Sequence, residues 1–224
     1  LEIDKFIDNF EKIINILILP LVMIFIILKS EIVNYLFGEN YSEAQYLIPF
    51  LVVSFYFSSI TVPYSNILLI SSKFKILLYS QFVCLTIFMS LFYLLENKFI
   101  SFYGIESNFD IIGFSILIYY LSRSLMTRFF VFKYYSIILS RSNLCKLVIF
   151  FFSLYLSDRF YSLLNLRHMD ILLLISIIIL TSFTLYFGLL KLFGQLKKDD
   201  IDLILSAVNI NKFKKEIREE IRFD

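Results

Sequence analysis

The sequence predicts an all-α protein of the membrane: a polytopic bundle of about six transmembrane helices followed by a cytoplasmic amphipathic helix. Three observations predict it. Hydrophobic residues make up 59% of the 224 residues and the mean hydropathy is +0.79, more apolar surface than a soluble core of this size can hide. The apolar residues gather into long runs, and a bilayer demands runs of about 18 residues or more. Basic residues alternate rich and poor from one inter-run loop to the next, as the preference for positive cytoplasmic loops requires.

Six apolar segments are marked, at 13–36, 46–70, 76–95, 111–138, 144–157 and 170–193. In hydrocarbon every backbone N–H and C=O must be satisfied within its own segment, which favours helix. The runs are too continuous for barrel strands, which alternate over about ten residues. The segment at 144–157 is short for a span. Pro20, Pro49 and Pro63 fall inside apolar segments and are expected to kink helices there. Many of the 15 tyrosines, Tyr35, Tyr41, Tyr93 and Tyr161 among them, stand near segment ends, where phenol rings form an interfacial belt.

Orientation follows from the loops. Lys5 and Lys12 precede the first segment, Lys73 and Lys75 occupy the 71–75 turn, and Arg141 and Lys146 the 139–146 turn. The 38–45 loop holds Glu39 and Glu43 without a basic residue. Six spans with both ends cytoplasmic satisfy this pattern. The chain divides into a transmembrane bundle, 1–194, and a basic tail, 195–224. Seven of the 21 basic residues lie between Lys197 and Arg222. Ile210, Phe213, Ile217 and Ile221 recur at helical spacing, so the tail is expected to lie along the anionic cytoplasmic leaflet. One of Asp199, Asp200 and Asp202 is expected to cap its first turn. The first residue, Leu1, reads as an internal point of a longer polypeptide, with no signal peptide before the first span.

Chemistry is sparse. Cys84 and Cys145 make no paired motif and read as buried apolar side chains. The single histidine, His168, stands alone in a loop. No metal-ligand spacing, nucleophile elbow or glycine-rich phosphate loop occurs, so the sequence predicts a non-enzyme without metal or cofactor. The net charge of +2 points to no nucleic-acid partner. The useful clue is charge within the apolar segments, which is costly and tends to face a cavity or a partner. Arg123 lies near the middle of 111–138, and Arg128 five residues on. They are the candidate binding residues, for an anionic group such as a diphosphate. A structural pairing of either arginine with a carboxylate is the alternative. Lys29 and Glu31 read as interfacial.

Residues 16–51 carry a resemblance. Pro20, the run ending Leu36-Phe37-Gly38, then Tyr41 and Ala44, resemble the second-half signature of polysaccharide and oligosaccharide-lipid flippases in the MATE-like superfamily. The turn Ser71-Ser72-Lys73-Phe74-Lys75 and the stretch Tyr103-Gly104-Ile105 are similar to family turns. Phe109-Asp110-Ile111-Ile112-Gly113 departs from the small-residue pattern usual there. The resemblance implies a fold of 12 to 14 spanning helices in two bundles, of which this chain is the second. It implies a multi-pass cell-membrane protein that flips a lipid-diphosphate-linked glycan to the outer leaflet by alternating access, with a separate N-terminal bundle as partner. Alternatives are a drug or metabolite exporter of the same superfamily, a membrane-embedded glycosyltransferase or polymerase, and a non-catalytic membrane scaffold.

Overall fold

The computed structural model describes residues 2–97, 108–135, 141–164, 171–197 and 200–201. Among them are seven α-helices, one 3-10 segment and no strand. The helices are α1 (Glu2–Ile27), α2 (Lys29–Phe37), α3 (Leu47–Ile70), α4 (Phe74–Glu96), α5 (Asn108–Tyr135), α6 (Arg141–Leu164) and α7 (Ile171–Leu192). The 3-10 segment, Glu39–Tyr46, joins α2 to α3. The all-α expectation holds. Five helical stretches are long and apolar enough to cross a membrane: Lys5–Ile27, Glu39–Ile70, Phe74–Glu96, Asn108–Tyr135 and Leu173–Leu192.

The first apolar segment is not one helix. It breaks at Leu28 (φ −89°, ψ 15°), and α2 begins at Lys29. At the other end α1 starts eleven residues before the expected boundary of 13, so Lys5 and Lys12 belong to a helix and not to a loop. Gly38, at φ +83°, ends α2 in a conformation that costs glycine little and any other residue more. Pro20 and Pro63 lie within α1 and α3. Pro49 differs from expectation: it is the third residue of α3, where the missing N–H has no intrahelical acceptor to lose. The expected short segment at 144–157 is a full helix, α6, of 24 residues. Its outer turns are polar (Arg141-Ser142-Asn143 and Ser157-Asp158-Arg159), which hid them from hydropathy. Of the tail expected at 195–224, residues 198–199 and 202–224 lie outside the described residues, as does the loop histidine His168.

In the bundle α1 packs against α3 on one side and α6 and α7 on the other; α5 packs on α3 and α4. Leu19, Val22, Met23, Ile27, Tyr56 and Tyr186 anchor the main apolar core. Small residues are buried on both helices of the α3–α5 contact, Ser54, Thr61 and Ser65 on α3 and Gly113, Ser124 and Thr127 on α5. Small side chains let helix backbones approach closely where lipid supplies no hydrophobic drive between helices. Phe50 packs edge-on against Phe114, and Arg128 stands over the Tyr64 ring, so α3 and α5 run parallel with a register offset of about 64 along the whole contact.

Candidate functional site

The polar centre of the molecule is built on Glu11. The residue is 1% exposed and sits on the α1 face that also carries Ile7, Ile14, Asn15 and Leu19, positions three and four apart that a helix stacks on one side. Three other helices supply donors to it. Arg128 on α5 places Nη2 2.6 Å from Oε1. Tyr64 on α3 donates its hydroxyl to the same oxygen at 2.6 Å. Asn143 on α6 donates Nδ2 to Oε2 at 2.8 Å. The Arg128 guanidinium also lies 5.0 Å from the centroid of the Tyr64 ring, a distance at which the π face attracts a cation. One carboxylate thus joins α1, α3, α5 and α6.

One turn along α1 a second knot forms. Tyr56 donates to Asn15 Oδ1 at 2.7 Å, and the fully buried Tyr186 of α7 donates to the Asn15 backbone carbonyl at 2.7 Å. That carbonyl already serves the helix ladder, so Tyr186→Phe is expected to cost only about 1 kcal/mol, read as a shifted unfolding midpoint in detergent. At the opposite end of the bundle Glu31 accepts from Tyr161 and, at 2.8 Å, from Ser30. Glu31 therefore ties α2 to α6, where the sequence suggested an interfacial charge. Lys29 lies 6.0 Å from the Tyr46 ring.

Both sequence-derived candidates lie on α5, five residues and so 500° apart around the axis, which separates their faces. Arg128 meets Glu11, the pairing with a carboxylate that the sequence left open. Arg123 is half-buried, and its Nε is buried without a hydrogen-bond partner among the described residues. On the facing helix α4, Cys84 Sγ lies 3.6 Å from Met126 Sδ. Cys84 is buried as expected; Cys145 is exposed, a correction that follows from its position on the outer face of α6.

Sequence reasoning placed Lys146 in a turn. It is inside α6 and fully buried, with no hydrogen-bond partner for Nζ among the described residues. Asp200 is 7% exposed and accepts the amide of Lys197 at 3.0 Å; the tail helix that one of the three aspartates is expected to cap lies outside the described residues. Glu11 and Asn15 were missed because Glu11 precedes the first apolar run. The signal was present: they continue the α1 stripe through Ile7, Ile14 and Leu19. No group of three or more metal-ligating residues occurs among the described residues. Comparison with protein-family models, with curated proteins and with solved structures finds no match.

Proposed function

We propose that this chain is one helical bundle of a membrane transporter that flips a lipid-diphosphate-linked glycan by alternating access, with a second bundle as its partner. The observation that carries the reading is Arg123: a cation near the middle of a membrane-length helix whose Nε is buried without a partner among the described residues. Such a group is expensive in hydrocarbon and marks a site where an anion is met. The flippase resemblance of residues 16–51 supports the same reading, as does the break between α1 and α2, since interrupted helices line transporter cavities.

A glycan cannot cross hydrocarbon unaided, because its hydroxyls would lose their hydrogen bonds. In this reading a polar cavity between the two bundles replaces water for the head group, and Arg123 neutralises the diphosphate. Arg128 becomes available to the anion only as its pair with Glu11 opens. Substrate binding would then be coupled to a rearrangement of the four helices that Glu11 joins. The two bundles rock about the bound head group, and the hydrocarbon tail stays in the bilayer.

A second reading, an ion-coupled exporter of small molecules, is favoured by the buried carboxylate of Glu11, the kind of group that carries protons in transporters. The two separate on substitution. Arg123→Ala in the full-length protein is expected to abolish glycan export at normal membrane levels. Unchanged export would remove Arg123 from the mechanism. Loss of small-molecule efflux with glycan export intact would favour the exporter.

A further inference from the structure

We infer that the C-terminal tail of this chain docks on its own bundle, laying the stripe Ile210, Phe213, Ile217 and Ile221 into a groove where α1 starts and α3 and α5 end. The groove has a volume of about 420 Å³. Phe6 of α1, Pro63, Ile67 and Ile70 of α3, and Tyr135 of α5 wall it, with Asn66 among them. Phe6 is 60% exposed and Ile70 85%, so the described residues leave the groove open. Ile70 is the last residue of α3, next to the polar turn Ser71-Ser72-Lys73. Apolar side chains this bare at a polar end of the bundle fit the apolar stripe of an amphipathic helix, the mode in which anchors three and four residues apart enter a groove.

Three observations select the tail as the occupant. The first is where the described chain ends. Asn143 meets Glu11 and Tyr161 meets Glu31, so α6 runs alongside α1; α7 follows it and returns to Asn15 through Tyr186. Tyr64 reaches Glu11 and Tyr56 reaches Asn15, so α3 runs against α1 and ends where α1 starts. The α7 terminus and the groove therefore share one end of the bundle. Past α7 the Gln195 and Leu196 amides turn back on the Leu190 carbonyl at 2.8 and 3.2 Å. Leu196 packs against the main core and Asp200 is 7% exposed, so the chain is held on the bundle nearly to Ile201. The second is length. The eight residues 202–209 reach about 12 Å as a helix and about 26 Å extended. Either passes α1, the helix between α7 and α3, at a diameter of about 10 Å. The third is charge. Residues 202–224 carry five basic and five acidic side chains, so this part of the tail has no net charge to hold it on an anionic leaflet. Helical spacing puts Glu216 and Glu220 along one flank of the stripe. At the groove rim Lys73 is exposed, lies 5.0 Å from the ring of Tyr134, and makes no ion pair among the described residues; Lys5, beside Phe6, is exposed too. The acidic flank complements that rim. Docked in this way, the tail clamps the ends of α1, α3 and α5 together, whether or not the protein transports.

The test uses the full chain in nanodiscs containing phosphatidylglycerol, with the photo-crosslinker benzoylphenylalanine in place of Phe213. Crosslinked peptides are expected to map to α1 around Phe6, to the last two turns of α3 and to the end of α5. Ile70→Glu, at an exposed position that the fold tolerates, is expected to abolish these crosslinks. Trypsin reads the same contact in the chain without the crosslinker: cleavage after Lys214, Lys215 and Arg218 is expected to quicken about tenfold or more in Ile70→Glu and in Phe213→Asp, the loss of one buried apolar side chain. Proteolysis decides the matter alone where benzoylphenylalanine does not fit the groove. Crosslinks to lipid alone, or equal cleavage of wild type and Ile70→Glu, would overturn the docking and place the tail on the membrane. Crosslinks between two differently tagged copies would overturn it in favour of a neighbouring chain's tail.

Discussion

Glu11→Ala is expected to destabilise the bundle by about 3 kcal/mol or more, because it strands Arg128 without a carboxylate inside the protein. Three donors converge on that one group, from Arg128, Tyr64 and Asn143. Removing it leaves each of them desolvated, and an unpaired buried polar group costs more than a made hydrogen bond contributes. The double variant Glu11→Gln with Arg128→Gln keeps the volumes and removes both charges, so it is expected to lose less than either single variant. Unfolding in detergent with a mild denaturant gives the three values. Hydrogen bonds between membrane helices average only about 0.6 kcal/mol in measured cycles. A loss of that size from Glu11→Ala would therefore mean that water or lipid replaces the carboxylate and that the four helices are held by packing alone.

Two glycine substitutions are expected to differ in sign. A Cβ at Gly113 would stand 2.6 Å from Phe50 Cδ2 and 3.0 Å from Phe50 Cβ and Cγ. The Phe50 Cβ is tied to the α3 backbone and cannot swing away, so Gly113→Ala must push α3 from α5 at their closest approach. Overpacking of this kind costs about 1–3 kcal/mol, against which the helix propensity of alanine returns up to about 1 kcal/mol. At Gly188, inside α7, nothing lies within 4 Å of the added carbon, so Gly188→Ala is expected to stabilise by about 0.5–1 kcal/mol. Thermal unfolding of both variants reads the contrast. Equal shifts would mean that the α3–α5 spacing is not set by Gly113.

The fold was legible where composition alone decides it. Runs such as 76–95 and 170–193 have no plausible home but a spanning helix, and the helices α4 and α7 cover them. Boundaries failed where polar residues are helical. The start of α1 and the first turn of α6 are polar because they meet one another: Asn143 donates to Glu11 and Asp8, and within α1 Lys12 pairs with Asp8. Hydropathy scores each residue against lipid and is blind to such mutual satisfaction. The break at Leu28 had no local signal, since Pro20 lies two turns away. Arg128 was visible as a buried charge but its partner was not, because Glu11 is 117 residues distant and no spacing rule spans that separation. The bare Nε of Arg123 could not be read from sequence, because it depends on the packing of helices distant along the chain.

One measurement in native cells tests the proposed transport most directly: the leaflet distribution of lipid-diphosphate-linked glycans after deletion of the gene. The transport reading predicts that these lipids accumulate on the cytoplasmic leaflet, that the full-length wild-type protein restores them to the outer leaflet, and that Arg123→Ala at equal membrane level does not. An unchanged distribution in the deletion strain would contradict it.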